Sequence, residues 1–243
     1  MPDEIFENPR LTQIYDVFDG ERTDLVHYLA IARELKAQTI LDIGCGTGSF
    51  SDLLASKGFD VTGLEPANAS LEMAKLKPFA SKINWVLGDM LKISDLHVDL
   101  AVMTGNVAQV FVTDAEWVQT LEAIHRVLHD KGYFVFEVRD PSKKVWLEWA
   151  KENTYQRLNV PEVGYVEGWC DVQDVSGDLV TFVWTYHFEE DGASISSEST
   201  LRFREKEDIE SSLLKTGFSI KDIRDAPDRP GKEFVFIAQR DKT

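Results

Sequence analysis

The chain has 243 residues, and its 26 basic and 42 acidic side chains give a formal net charge of −16. This balance argues against nucleic acid as a partner, because a protein that grips a phosphate backbone needs a cationic surface. The sequence contains no apolar run of about 18 residues, the length that a membrane helix needs, so we predict no membrane span.

The amino-terminal residues 1–7 are acidic and lack both the basic region and the apolar core of a signal peptide, so we expect a cytoplasmic protein. The two cysteines, Cys45 and Cys170, provide neither a disulfide framework nor a zinc spacing. Among the five histidines, only 125 and 129 are close, and they lack the glutamate of a metalloprotease helix. We therefore predict no metal site.

A glycine-rich loop follows the first predicted helix, at residues 21–36, and the first predicted strand, at 40–43. Glycines at 44, 46 and 48 permit positive φ angles and let backbone N–H groups approach a ligand that side chains would obstruct. The next predicted helix ends at Gly58 and presents its amino terminus to the same ligand. The pattern predicts a nucleotide-like ligand on an α/β sheet, although a purely structural turn is the alternative.

The spacing of the glycines distinguishes two kinds of nucleotide fold. A dinucleotide fold requires G-x-G-x-x-G, whereas here Ser49 stands where that third glycine would be. With Asp42 before the loop, the Asp-x-Gly-x-Gly-x-Gly sequence resembles motif I of the class I S-adenosylmethionine-dependent methyltransferases. In that family the acid orders the loop and lies near the methionine part of the cofactor, where an anion favours the ammonium and sulfonium groups.

A second strand, at residues 60–66, contains Glu65 near its end, about 20 residues after Gly46. A carboxylate at that interval reaches the hydroxyls of a ribose, so we assign Glu65 to the adenosine ribose, with Pro66 beside it. The alternative is a solvated acid at a strand end.

The third and fourth predicted strands, at residues 83–87 and 98–104, end in Asp89-Met90 and Thr104-Gly105. The resemblance implies that the acid accepts from the adenine amino group, and that Met90 packs on the base or donates its N–H. It also implies that the backbone at Thr104-Gly105 passes beside the methyl donor. Tyr15, which precedes the first predicted helix, either closes over the cofactor or packs on that helix. The predicted cofactor-binding residues are Tyr15, Asp42, Gly44, Cys45, Gly46, Gly48, Glu65, Pro66, Asp89, Met90, Thr104 and Gly105.

Farther along the chain, strands and helices continue to alternate, which predicts a parallel sheet with helices on both faces. A helix at 114–129, with a capping box from Thr113 and Glu116, is followed by a turn at 130–132 and a strand at 133–139. The last helix, at 206–215, leads to two closing strands, at 219–224 and 234–239. The predicted fold class is α/β, a Rossmann-like, doubly wound, seven-stranded and mostly parallel sheet with an inserted antiparallel β-meander.

The insertion begins after residue 140, where the pattern changes. A predicted helix containing Trp146 and Trp149 precedes a three-stranded antiparallel meander at 163–204, in which alternate residues from Val180 to Phe188 form an aromatic face. We expect residues 1–140 and 205–243 to form the cofactor-binding domain, and 141–204 to contribute the acceptor pocket. The alternative is that the aromatic face packs on the main sheet or on a second subunit.

The sequence thus predicts transfer of a methyl group from S-adenosylmethionine to N or O of a small molecule, leaving S-adenosylhomocysteine, by a monomer or homodimer. The inferred reaction is an in-line displacement at the sulfonium methyl, in which the protein positions the acceptor and a base removes any proton. The candidates for a catalytic role are Asn106, Glu137, Arg139, Tyr186 and His187. Two alternatives remain: a non-catalytic protein that binds the same cofactor, and an NAD-dependent oxidoreductase, which the glycine spacing disfavours.

Overall fold

A computed structural model of the chain describes residues 2–93 and 95–242, which form two β-sheets with helices packed around them. In chain order, the strands are β1 (Thr39–Ile43), β2 (Asp60–Glu65), β3 (Ile83–Leu87), β4 (Val98–Met103), β5 (Leu128–Arg139), β6 (Gln156–Val160), β7 (Gly164–Ser176), β8 (Leu179–Phe188), β9 (Ser194–Arg202), β10 (Phe218–Asp225) and β11 (Glu233–Arg240). The α-helices are α1 (Glu4–Glu7), α2 (Pro9–Asp19), α3 (Leu25–Glu34), α4 (Ser49–Ser56), α5 (Asn68–Ala74), α6 (Asp114–Val127), α7 (Lys151–Thr154) and α8 (Lys206–Lys215).

The main sheet has seven strands in the order β10-β11-β5-β4-β1-β2-β3, which confirms the predicted fold class. Strands β1 to β5 pair in parallel, whereas β11 runs antiparallel to β5 and β10. The chain order reverses between β1 and β4, and ligands of such sheets bind outside the carboxyl ends of the strands at that reversal. The sheet therefore places the ends of β1, β2 and β4 at one candidate site.

Apolar side chains cover both faces of the main sheet, as expected for parallel strands that are buried on both sides. One core cluster joins the sheet to α3 and α4 through side chains such as Leu29 and Leu54. The other joins it to α6 and α8 through Trp117 and Leu213. These two layers fix the strand ends from which the site is built.

The second sheet is antiparallel and contains four strands in the order β6-β7-β8-β9, one more than predicted. The extra strand, β6, reads Gln-Arg-Leu-Asn-Val, and its two apolar residues, Leu158 and Val160, form too short an alternation to identify a strand. The predicted helix around Trp146 and Trp149 is wrong, because that segment forms two short 3₁₀ turns separated by Lys144 at φ 46°. The two tryptophan rings pack instead on Phe203 and Phe182, at centroid distances of 4.5 and 4.8 Å.

The amino-terminal segment forms α1 and α2, which the sequence analysis did not predict, and Tyr15 lies within α2 rather than before the first helix. The side chain of Asn8 accepts from the N–H of Arg10 at the start of α2. The aromatic face of β8 packs on these two helices. Tyr186 and Phe188 of this face meet helix residues Ile5, Leu11, Ile14 and Phe18.

Two element boundaries also differ from prediction. The helix predicted at 21–36 is the shorter α3, and β5 begins at Leu128, so the predicted turn at 130–132 lies within the strand. Lys131 adopts φ 67° there, and the register with β4 is irregular, which explains why the residues read as a turn. Within the described residues, no helix combines the length and apolar character that crossing a membrane requires.

Candidate functional site

The glycine loop after β1 has three glycines with φ between +54° and +82°, but their surroundings differ. A Cβ atom at Gly44 would lie 2.8 Å from Val107, and one at Gly48 would lie 2.8 Å from Ala74. A Cβ atom at Gly46 would meet no described protein atom within 4 Å. The outer two glycines are therefore required for packing, whereas Gly46 borders open space that a ligand can occupy.

Glu65, at the end of β2, ties the loop to the start of α5. Its carboxylate accepts from the N–H of Gly46 at 2.8 Å and from the N–H of Ala67 at 2.9 Å. Each oxygen retains a second lone pair that can accept from a hydroxyl. The side chain is only 5% exposed, and this burial raises the pKa of Glu65 to about 7.

Asp42 is buried at the end of β1 and accepts from the Ser51 hydroxyl at 2.7 Å. It thus holds the first turn of α4, and the described residues offer no hydrogen-bond donor to its Oδ1 atom. Burial raises the pKa of Asp42 to about 6. Burial also raises the pKa of the neighbouring Cys45 thiol well above its usual value, as do the nearby Asp42 and Glu65, so this thiol is unsuited to act as a nucleophile.

Helix α2 lies over the glycine loop, an arrangement that the sequence analysis missed. Asp16 accepts from the Thr47 hydroxyl and from the Lys77 ammonium group, both at 2.5 Å. Tyr15 on the same helix is half-buried, and no described residue hydrogen-bonds to its hydroxyl. The Asn8-Pro9 cap followed by apolar residues at helical spacing is the signal that identifies this helix in the sequence.

At the end of β3, Asp89 is exposed and accepts from the N–H of Leu91 at 3.0 Å. Met90 packs its side chain in the main core, where it is 3% exposed. Of the two roles expected for Met90, the structure therefore favours the one in which its backbone N–H meets the base. Leu91, 59% exposed, provides apolar surface beside Asp89.

The loop after β4 is held by a buried carboxylate, Glu137 on β5. Glu137 Oε1 accepts from the N–H groups of Gly105 at 2.5 Å and Asn106 at 3.1 Å, and Oε2 accepts from the Tyr28 hydroxyl. The Asn106 side chain in turn donates to Glu233 at 3.2 Å. Burial and the nearby Glu233 raise the pKa of Glu137. Because both of its oxygens are engaged, Glu137 is placed to position this loop rather than to accept a proton from a substrate.

The remaining candidates occupy two different places. Arg139 ends β5, with its guanidinium carbon 5.4 Å from the Trp149 ring centroid, and the Tyr186 ring lies 5.1 Å from that of Phe18 on α2. Both side chains lie where the main sheet, α2 and the insertion meet. His187 points to the opposite face of β8, where its ring bonds to the Ser194 hydroxyl at 3.0 Å. The structure thus does not bring His187 to the other candidates.

These residues fit the expected cofactor, S-adenosylmethionine. The space over Gly46 leaves backbone accessible to a ligand, Glu65 accepts from the N–H of Gly46, and Asp42 lies near the adjacent Cys45. After the end of β3, Asp89 offers a hydrogen-bond acceptor and the exposed Leu91 offers an apolar surface. These are the two features expected for binding the amino group and the flat face of an adenine. No group of three metal-ligating side chains is found in the part of the chain that the structure describes.

Comparison with known proteins agrees with this site. A family model described as "Methyltransferase domain" matches residues 40–132. The Bacillus subtilis (strain 168) protein named "Putative methyltransferase YqeM" is 28% identical over 214 residues, which cover 84% of this chain and 85% of that relative. The range matched by the family model, 40–132, contains the glycine loop, Glu65 and Asp89.

Two solved structures share the fold. An S-adenosylmethionine-dependent methyltransferase from Clostridium acetobutylicum ATCC 824 has a TM-score of 0.78 at 17% identity, covering 96% of this chain and 98% of that one. The sugar N-methyltransferase KedS8 from Streptoalloteichus sp ATCC 53650 also has a TM-score of 0.78, at 19% identity, covering 91% of this chain and 88% of its own. Residues 40–132 therefore match a methyltransferase domain, and the chain as a whole has the fold of S-adenosylmethionine-dependent methyltransferases.

Proposed function

We propose that this enzyme methylates an N or O atom of a small molecule bound between the carboxyl edge of the main sheet and the insertion at 141–204. The observation that supports this is the meeting of aromatic and basic side chains from the three parts: Arg139 of β5 contacts Trp149 of the insertion, and Tyr186 of the insertion packs with Phe18 and Tyr15 of α2. We call the region that these side chains border the proposed acceptor chamber. The net charge of −16 argues against a nucleic-acid acceptor. The sugar N-methyltransferase with the same fold is consistent with a small-molecule acceptor.

In this proposal, the residues of the chain act mainly by positioning. When bound, S-adenosylmethionine supplies an activated methyl group. The loop at Gly46 and the carboxylate of Glu65 hold the cofactor, while Glu137 fixes the backbone of Gly105 beside the methyl donor. Helix α2 and the insertion exclude water and orient the acceptor, which is where such enzymes gain most of their rate.

The tyrosines of the chamber are suited to hydrogen bonding rather than to proton removal. Burial raises the pKa of both Tyr15 and Tyr186 above the ordinary phenol value, and the nearby Asp19 raises both further. Both hydroxyls are therefore neutral near pH 7 and can donate to an acceptor atom. An amine acceptor would then react as its neutral form, with its proton lost to solvent.

The acceptor class can be tested with S-adenosylmethionine carrying a labelled methyl group. The enzyme is incubated with pools of small amines and hydroxyl compounds, or with total RNA, or with denatured protein. We expect label only in the small-molecule pools. Label in RNA or protein alone would contradict the proposal, and binding of S-adenosylhomocysteine without transfer to any pool would favour the non-catalytic alternative.

Cofactor affinity is expected to rise with pH. The pKa values of Asp42, about 6, and Glu65, about 7, are raised by burial, and a ligand that donates to Glu65 and brings an ammonium near Asp42 requires the ionised forms. Affinity for S-adenosylhomocysteine should therefore increase severalfold from about pH 6 to about pH 8. The ligand-free protein should change in the opposite direction, because raised folded-state pKa values stabilise the fold at low pH and this contribution is lost as pH rises.

Calorimetric titration with S-adenosylhomocysteine at several pH values measures how the affinity changes with pH. Thermal unfolding without ligand at the same pH values measures how the stability changes. A Glu65→Gln variant serves as the control, because it cannot ionise and should show a flatter affinity profile. A flat profile for the unaltered enzyme would exclude ionisation of these carboxyls from cofactor binding.

A further inference from the structure

The guanidinium of Arg139 has few hydrogen-bond acceptors among the described residues, although its side chain is largely buried. Its side chain is 21% exposed, and the nearest carboxylate oxygen, on Glu233, lies 3.8 Å from Nε, beyond hydrogen-bond distance. Its one hydrogen-bond acceptor among the described residues is Oε1 of Gln109, 3.3 Å from a terminal nitrogen. A guanidinium carries five N–H donors, so most of those on Arg139 meet no acceptor in residues 2–93 and 95–242.

Other arginines of similar burial are much better satisfied. Arg202, with a side chain 20% exposed, contacts the carboxylates of Asp114 and Asp178, both at 2.7 Å. Glu233, the carboxylate nearest Arg139, is already engaged by Arg229 at 2.7 Å. Arg139 thus shares its only ion-pair partner among the described residues, at 3.8 Å, with Arg229, and the N–H donors that no described residue meets are available to a further anion.

The surroundings of Arg139 define the shape of that anion. Gln109 is oriented by donating its amide to the Arg202 carbonyl at 3.2 Å, so its Oε1 atom holds one edge of the guanidinium. The ring of Trp149 lies beside the guanidinium, and the ring of Phe182 lies 4.8 Å from that of Trp149. The open donors therefore lie next to an aromatic wall inside the proposed acceptor chamber.

We infer that Arg139 binds a carboxylate of the methyl acceptor, and that the acceptor is an aromatic or similarly apolar carboxylic acid. The planar fork of an arginine matches a carboxylate with two parallel hydrogen bonds, and the tryptophan and phenylalanine rings match an apolar body. A dianionic phosphate fits less well, because Arg229, the other cation at Glu233, is committed to that carboxylate. The inference rests on the proposed function, since it places the acceptor in the same chamber.

The test uses the whole enzyme saturated with S-adenosylhomocysteine and three probes: benzoate, benzamide and phenyl phosphate. Calorimetric titration of each probe is carried out on the unaltered enzyme and on the variants Arg139→Gln, Arg139→Lys and Arg202→Gln. We expect benzoate to bind at least about tenfold more tightly than benzamide, because a hydrogen-bonded charge pair is lost with the amide. We expect Arg139→Gln to abolish this preference and Arg139→Lys to leave part of it.

The Arg202→Gln variant is the matched control, because it removes an arginine of equal exposure that is already paired, and it should keep the preference for benzoate. Equal binding of benzoate and benzamide, preference for phenyl phosphate, no benzoate binding at about 10 mM, or a preference that survives Arg139→Gln would each overturn the inference. Affinity for S-adenosylhomocysteine is measured in every variant. A failure to bind it would count against the proposed function, whereas a change confined to the probes bears on Arg139 alone.

Discussion

A Gly46→Val variant is expected to remain folded and to lose about a hundredfold in affinity for S-adenosylhomocysteine. A Cβ atom at this position would meet no described protein atom within 4 Å, so the added side chain occupies ligand space rather than core. The φ angle of +54° makes valine unfavourable there and is expected to cost about 1 to 2 kcal/mol of stability. The loss of binding should therefore exceed the loss of stability.

Gly177→Val provides a matched control for this strain. Gly177 lies in the turn between β7 and β8, with φ +63° and no described atom within 4 Å of its Cβ position. It should lower the melting temperature to a similar extent and leave cofactor affinity unchanged. Gly44→Ala should behave differently, because its Cβ would meet Val107 at 2.8 Å and so reduces stability by a direct clash. A folded Gly46→Val protein with full affinity would remove the loop from the cofactor site.

The sequence identifies this loop but not the different tasks of its glycines. All three positions need positive φ, which is a local property and so is visible in the spacing. The atoms that crowd Gly44 and Gly48 belong to Val107, Ala74 and Trp85, which other elements bring to the loop. Only tertiary structure shows that Gly46 is the one that borders open space.

The same distinction between local and distant information explains the fold predictions. The predicted bounds of helix α8 agree with the structure, and those of the main-sheet strands other than β5 nearly do, because their apolar periodicity is carried by each segment alone. The helix prediction around Trp146 is wrong because Trp146 and Trp149 stand three residues apart, as on a helix, whereas contacts with the distant Phe203 and Phe182 hold their rings. Strand β6 was missed because it owes its place to pairing with β7 rather than to its own sequence.

At the candidate site, a residue type was predicted more readily than its role. Glu137 was identified by its position at a strand end, as a candidate for catalysis. Its partners Tyr28 and Glu233 lie at opposite ends of the chain, so the buried hydrogen-bond network that occupies its oxygens has no local signature. The role that the geometry indicates, holding the β4 loop, depends on those partners.

Glu137→Ala is expected to have the largest effect on stability, a loss of about 3 kcal/mol in the free energy of unfolding. The change leaves the Tyr28 hydroxyl and the N–H groups of Gly105 and Asn106 buried without their acceptor. Relief of the repulsion between Glu137 and Glu233 offsets part of this cost. Denaturant unfolding measures the loss, and Tyr28→Phe, which removes one of the bonds, should cost about 1 kcal/mol.

Glu137→Gln separates a positioning role from a catalytic one. The glutamine oxygen can still accept from Gly105 and Asn106, and its amide can donate to the Tyr28 oxygen, so the loop should keep its place. An amide cannot act as a base, however. If Glu137 only positions the loop, this variant should retain most of its stability and turnover in the methyl-transfer assay. Near-normal stability and cofactor affinity combined with abolished turnover would instead make Glu137 the group that takes the proton of the acceptor.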